Sequence, residues 1–177
     1  MILAMAKPLA TIMRALAESG TDFVVVGGVA VNAHGFNRAT LDLDIIVRFD
    51  RSNVHRLVTC LRGEGYTPRT PVDPEQLSVA GARAEWRNKN MVALAFFDSQ
   101  PPYTAVDVFI DHPIDYDEML TEAVQVEYDG ALIRICSVRH LIDLKERARR
   151  PKDLEDLKFL YRIFDEVERK HDGPTPS

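Results

Sequence analysis

Two aspartates, Asp42 and Asp44, alternate with Leu41, Leu43 and Ile45 in an otherwise apolar run. On a strand, side chains two residues apart share a face. The two carboxylates therefore project together, and the three aliphatic neighbours project to the other side. Adjacent carboxylates repel, and each is costly to keep ionised without a cation. A divalent ion relieves both costs. Oxygen ligands suit Mg²⁺, with Mn²⁺ as a substitute, and such an ion keeps positions for water and substrate phosphates. Two ions roughly 4 Å apart, the arrangement used in phosphoryl chemistry, need a third carboxylate. Asp107, in Val106-Asp107-Val108-Phe109-Ile110, is placed to supply it. Asp111, four residues on and so on the same face at the strand's end, is the fallback, and Asp98 is the weaker third choice. Aspartate is depleted in strands, so metal binding accounts for these positions better than the polar face of an edge strand does.

Phosphates need a cradle. Gly27-Gly28 follows the β-branched run Phe23-Val24-Val25-Val26. Glycine permits close backbone approach, and the N-terminus of a following helix presents free N–H groups to an anion. Arg38 has the planar fork that matches a phosphate, and it fits equally well as a brace for Asp42 or Asp44. Lys145 lies four residues after Leu141 and three after Ile142, so it shares their apolar helical face. It needs an anionic partner there, and a phosphate fits. Arg147, Arg149, Arg150 and Lys152 suit the negative end of a helix. Asp153 and Asp156 suit the positive end of the next one. His34, beside Gly35, reads as a carbonyl cap, and no other histidine stands at ligand spacing to it.

The elements around these residues follow from periodicity and breakers. Leu9, Ile12, Met13 and Leu16 share one face of a first helix ending near Gly20. A buried strand over residues 22–26 runs into a short helical stretch at 29–34. A second strand covers 41–47. Asp50 or Ser52 caps a helix that ends around Gly63 to Gly65. Residues 68–74 read as a loop and 75–87 as a helix. Strands over 91–97 and 105–110 flank a turn at Pro101-Pro102. A short helix covers 115–123. Residues 124–128 and 131–135 form a hairpin about Asp129-Gly130. Ser137 caps one helix, and Pro151 separates it from the last. The expected fold class is α/β (α+β), a mixed sheet flanked by helices with a C-terminal helical pair. One domain is expected over residues 1–170, with a disordered tail at 171–177.

The bulk properties narrow the partners. The net charge of −5 gives no overall attraction to nucleic acid, so contact with RNA or an NTP must be local. Cys60 and Cys136, each in an apolar segment, read as reduced thiols in a cytoplasmic protein. No segment has the roughly 18 apolar residues that span a bilayer.

Taken together, Gly27-Gly28-Val29-Ala30, His34-Gly35, Arg38, Thr40 and Asp42-Leu43-Asp44 resemble the signature of the DNA polymerase beta-like nucleotidyltransferases. The resemblance is to the minimal forms related to the AbiEii type IV toxins. Lys145 and the segment Arg150-Pro151-Lys152-Asp153-Leu154-Glu155-Asp156 also look like that branch. The resemblance implies a polymerase-beta-like core and transfer of an NMP from an NTP, ATP among them. It implies Asp42, Asp44 and Asp107 as ligands of two Mg²⁺ ions. Gly27, Gly28, Arg38, Thr40 and Lys145 then fall on the nucleotide and its phosphates, and Asp153 becomes a base. The acceptor stays open between tRNA, a protein hydroxyl and a small molecule of the antibiotic type. An antitoxin or toxin partner is implied, and no membrane. Many members carry Gly-Ser where this chain has Gly27-Gly28. That departure keeps a rival open, a non-catalytic module that binds a nucleotide or a partner on the same fold.

Overall fold

The computed structural model describes residues 7–101 and 103–171. Pro102 of the expected Pro-Pro turn, and residues 172–177 of the expected tail, lie outside them. The first helix, α1 (Lys7–Glu18), leads into β1 (Phe23–Val26), α2 (Gly27–Ala33), β2 (Asp42–Val47) and α3 (Arg51–Gly63). Then come β3 (Tyr66–Pro68), a 3₁₀ turn (Pro74–Ser78), α4 (Ala80–Asn88), β4 (Ala93–Asp98) and β5 (Ala105–Phe109). The chain continues through α5 (Tyr116–Glu122), β6 (Val124–Tyr128), β7 (Ala131–Ile135), α6 (Val138–Ala148) and α7 (Pro151–His171).

The strands form one seven-stranded mixed sheet in the order β3-β4-β5-β2-β1-β7-β6. β1 is buried at every residue, which a central strand with helices on both faces requires. The helices contact one another in two groups: α1 with α3, and α2 with α6, which packs on α7. This is the mixed sheet with a C-terminal helical pair that the element order implies.

At β4 and β5 the sheet is one-sided. On β4 and β5 the residues Leu94, Phe96, Val106 and Val108 are fully buried. The alternate residues Ala93, Ala95, Ala105, Asp107 and Phe109 are only half-buried, and Phe97 is exposed. The period of two thus gives this part of the sheet a core face and an open face.

Local signals set several boundaries. Asp50, not Ser52, caps α3 by accepting from Asn53 N at 2.9 Å, and Ser137 caps α6 by accepting from His140 N at 3.2 Å. Asp129 and Gly130 both have positive φ (48° and 80°) in the β6–β7 turn, as a two-residue hairpin needs. One expectation fails, and one strand is unexpected. Residues 75–87 are not one helix: Val79 is extended, at φ −101° and ψ 112°, and divides the 3₁₀ turn from α4. The chain before the expected loop also pairs with β4 as the short edge strand β3.

The end of the sheet away from the aspartates is braced by Asn53, which is fully buried. Its Oδ1 accepts from Asp22 N at 2.6 Å, and its Nδ2 donates to the carbonyls of Asp22 and Arg48, each at 2.9 Å. Asn53→Leu strips Asp22 N and the Arg48 carbonyl of these bonds and leaves the Asp22 carbonyl only Arg48 N, at 3.3 Å. It is expected to cost about 2–4 kcal/mol, read as a lower midpoint in urea with an unchanged slope.

Candidate active site

β1 ends where Gly27 takes φ +61°, a left-handed conformation that suits glycine. Space imposes the same choice. A methyl group on Gly27 would come within 2.0 Å of Asp44 Oδ2. One on Gly28 would come within 2.6 Å of Arg38 Nη2 and 3.0 Å of Thr40 Oγ1. The glycine pair lets the turn into α2 lie directly against the Asp44 carboxylate and the Arg38 guanidinium.

Strand register brings the second and third aspartates together. β2 and β5 run parallel with Asp44 opposite Asp107. Val26 flanks Asp44 on one side, and Ala95 flanks Asp107 on the other. Paired residues point to the same face, so Asp44 and Asp107 are neighbours on the open face, and Asp42 lies one pleat along. Burial pushes the Asp44 carboxyl up to about 6, helped next by the Asp107 charge and then by that of Asp42. Burial also raises Asp107, followed by the charge of Asp42. Lys152 and Arg150 oppose both shifts, and Arg69 opposes that of Asp107.

Arg69 follows β3, and its N–H donates to the Ala95 carbonyl at 2.8 Å. The row across the sheet therefore reads Arg69, Ala95, Asp107, Asp44. No sequence pattern marks Arg69, because residues 68–74 lack the alternation of a strand. Lys152 suits a helix end by its spacing, yet its charge reaches the carboxylates.

Arg38 does not pair with Asp42 or Asp44. Its Nε lies 3.2 Å from Asp156 Oδ1. That contact is ionic, because the N–H points aside and makes no hydrogen bond. The Arg38 backbone is fixed to α2 by Asn32, whose Nδ2 donates to Arg38 O at 2.7 Å. Thr40 Oγ1 donates to Asp42 O at 3.3 Å, so Thr40 stands between the glycine turn and the start of β2.

Lys145 has the anionic partner its position demands, but the partner is protein. Its Nζ donates to Asp153 Oδ1 at 3.1 Å and to Asp156 Oδ2 at 2.7 Å, and all three side chains are buried. The other Asp153 oxygen accepts from Arg150 N and Nε, at 3.0 and 3.1 Å. Burial would raise the Asp153 carboxyl, but the bonds to Arg150 and Lys145 outweigh it and hold it below the usual range. Such a carboxylate is a weak proton acceptor.

The remaining candidates have other work. Asp111 pairs with Arg87 at 2.9 Å. Asp98 accepts from Gln100 N at 2.8 Å. His34 Nε2 meets the Cys136 carbonyl at 2.8 Å, a carbonyl contact as expected, tying α2 to the end of β7.

Among the described residues one group of three ligand atoms lies within 4.8 Å: Glu118, Glu122 and His140. Arg139 Nη2 already donates to both of those glutamates, so their charge is largely met. The oxygens of Asp42, Asp44 and Asp107 stand farther apart than that, as like charges on an open face will. The donor set nevertheless suits hard divalent ions. It has three carboxylates, two of them raised, and none hydrogen-bonded to a cation among the described residues.

No protein-family model matches the chain, and no curated protein matches it in sequence. Solved structures do match. Lincosamide antibiotic adenylyltransferase LnuA, lincomycin-bound, superposes with a TM-score of 0.62 at 14% identity, over 90% of this chain and 98% of LnuA. ANT(2'')-Ia in complex with adenylyl-2''-tobramycin gives 0.59 at 14%, over 92% and 94%. An antigenic nucleotidyltransferase-like protein from Paracoccidioides brasiliensis gives 0.59 at 13%, over 88% and 74%. The chain thus has the nucleotidyltransferase fold, with its paired aspartates beside the glycine turn.

Proposed function

We propose that this chain is a metal-dependent nucleotidyltransferase that moves an NMP from an NTP to a hydroxyl acceptor. The observation that carries the reading is the in-register pair Asp44–Asp107, both raised by burial and by neighbouring carboxylates, beside a glycine turn on this fold. The acceptor oxygen forms a bond to the α-phosphorus, the bond to the β-phosphate oxygen breaks, and pyrophosphate leaves. The acceptor proton passes to water or to a carboxylate of the site.

Asp42, Asp44 and Asp107 would hold the divalent ions, Mg²⁺ first and Mn²⁺ as a substitute. When bound, these ions supply charge neutralisation at the phosphates and activation of the acceptor oxygen. The Gly27-Gly28 turn admits the phosphates close to the backbone. Arg38 and Thr40 lie against that turn and orient them, and Arg150 and Lys152 add positive potential. Catalysis is then mainly positioning and charge neutralisation.

Arg69 and Phe97 lie across Asp107 from the glycine turn, on the open face. Arg69 and Phe97 are exposed there, which supports a large acceptor, RNA (tRNA included) or a protein hydroxyl. Arg69→Ala is expected to raise KM for such an acceptor several-fold and leave KM for the NTP unchanged, in steady-state kinetics with each substrate varied in turn. The likeness of the signature to the AbiEii-related branch supports a toxin–antitoxin setting.

Two readings compete. LnuA and ANT(2'')-Ia, both named for antibiotic chemistry, favour a small-molecule acceptor. Gly27-Gly28, which lacks the serine hydroxyl that many members of the resembled family carry, keeps a nucleotide-binding module without turnover as the other. Pyrophosphate release from each NTP with Mg²⁺, assayed against an RNA pool, a protein lysate and a panel of aminoglycosides and lincosamides, separates the three. Release with RNA or protein supports the proposal. Release with antibiotics alone moves the acceptor class, and NTP binding without release in any arm supports the module.

A further inference from the structure

Lys145, Asp153 and Asp156, buried together, have no role in the transfer described above, yet they reach the glycine turn through Asp156. Asp156 is 1% exposed and shares its two oxygens between Lys145 Nζ and Arg38 Nε. Lys145 fixes Oδ2, which leaves Oδ1 facing Arg38. Phe36 stacks on Phe159, with ring centroids 4.9 Å apart, and so ties the Arg38 loop to the same helix one turn further on. Asn32 holds the Arg38 backbone from the other side. The guanidinium is thus fixed from α7 and its backbone from α2, and its Nη2 lies where a Gly28 side chain would otherwise begin. The cluster sets the carboxylates of Asp153 and Asp156 against Lys145, Arg38 and Arg150. Its cations outnumber its anions, and the surplus is carried by the two arginines that reach solvent.

We infer that Arg38 grips the NTP phosphates from the slot left by Gly28, and that Asp156, locked by Lys145, is the positioning residue that holds it there. The inference rests on the nucleotidyltransferase reading. It gives Lys145 and Asp153 no contact with substrate. It also makes Gly28 a position that sets phosphate affinity, because a side chain there displaces the guanidinium. Arg38 is flexible at its far end, so Gly28→Ala moves it at little cost to the fold.

The test is calorimetric binding of Mg²⁺–ATP and of inorganic tripolyphosphate to the full chain, for wild type, Gly28→Ala, Asp156→Asn and the double variant. Loss of one charge-assisted phosphate contact weakens binding about tenfold or more. Each single variant is expected to show that loss for both probes. The double variant is expected to show the same loss once rather than twice, because both changes act through Arg38. The melting temperature of Gly28→Ala is expected to stay close to wild type. Losses that multiply in the double variant would mean that Asp156 acts through general stability, and would overturn its positioning role. Unchanged affinity in Gly28→Ala overturns the inference even where Asp156→Asn fails to fold. A wild type that binds neither probe overturns the nucleotidyltransferase reading along with it. A wild type that binds both probes, with single variants that bind equally well, overturns the inference alone.

Discussion

Asp44→Asn is expected to abolish nucleotidyl transfer, by about a thousandfold or more, and to stabilise the metal-free fold at neutral pH. The activity loss follows from removing a charge that no neighbouring group replaces. The stability gain follows from the repulsion that the charge now suffers. Asp44 titrates at about 6 in the folded chain, against an ordinary value of 3.8. A carboxyl raised by folding binds more protons in the native state between those two values. Its contribution to stability is therefore complete below about pH 4 and is lost as pH rises through 6. The gap corresponds to on the order of 2–3 kcal/mol at pH 7. Asp107 is raised as well and acts in the same direction.

Asp50, Glu122 and Asp153 are lowered and act oppositely, at lower pH. The clean quantity is thus the difference between variant and wild type. In a chelator, the melting temperature of Asp44→Asn minus that of wild type should grow between about pH 4.5 and 7.5, reaching about 5–10 °C. Mg²⁺ should raise wild type and leave the variant nearly unmoved, more at about pH 7.5 than at about pH 5. A difference that is flat with pH would mean that the Asp44 carboxyl is not raised in the folded chain.

Lys145→Met is expected to be the most destabilising single change at the site. It leaves Asp153 and Asp156 buried, 0% and 1% exposed, facing one another without the ammonium between them. Breaking a buried ion pair by removing one partner costs about 3–5 kcal/mol, which lowers the melting temperature by about 10 °C or more for a chain of this length. A lysine whose work is to touch phosphate would behave differently: its loss would weaken NTP binding and leave the melting temperature near wild type. Denaturation of Lys145→Met beside wild type, without nucleotide, separates the two roles.

Part of this site is legible in the residues themselves, and part depends on contacts that local patterns do not encode. Asp42 and Asp44 stand out because aspartates at a period of two in an apolar strand are costly unless a cation meets them. Gly27-Gly28 stands out as a turn, and the structure adds that each glycine also avoids a specific side chain. Placing Asp44 opposite Asp107 depends on the register of two strands far apart in the chain, which no local pattern encodes. Lys145 shows by its helical spacing that it needs an anion. Which anion it meets is settled by the left-handed Arg149, at φ 49°, which turns α7 back so that Asp153 and Asp156 reach it. β3 is hidden because the few residues between Gly65 and Arg69 are too short a run to show a period. With it goes Arg69, the cation on the acceptor side. The break at Val79 is hidden for the opposite reason, since residues on both sides of it favour helical turns.

The most direct test is transfer of label from each α-phosphate-labelled NTP, with Mg²⁺ and a cell lysate, comparing wild type with Asp44→Asn and Asp107→Asn, each shown to be folded. A labelled RNA or protein band is expected with wild type, lost with chelator and absent from both variants. Full labelling by either folded variant would contradict the assignment of these carboxylates to the transfer.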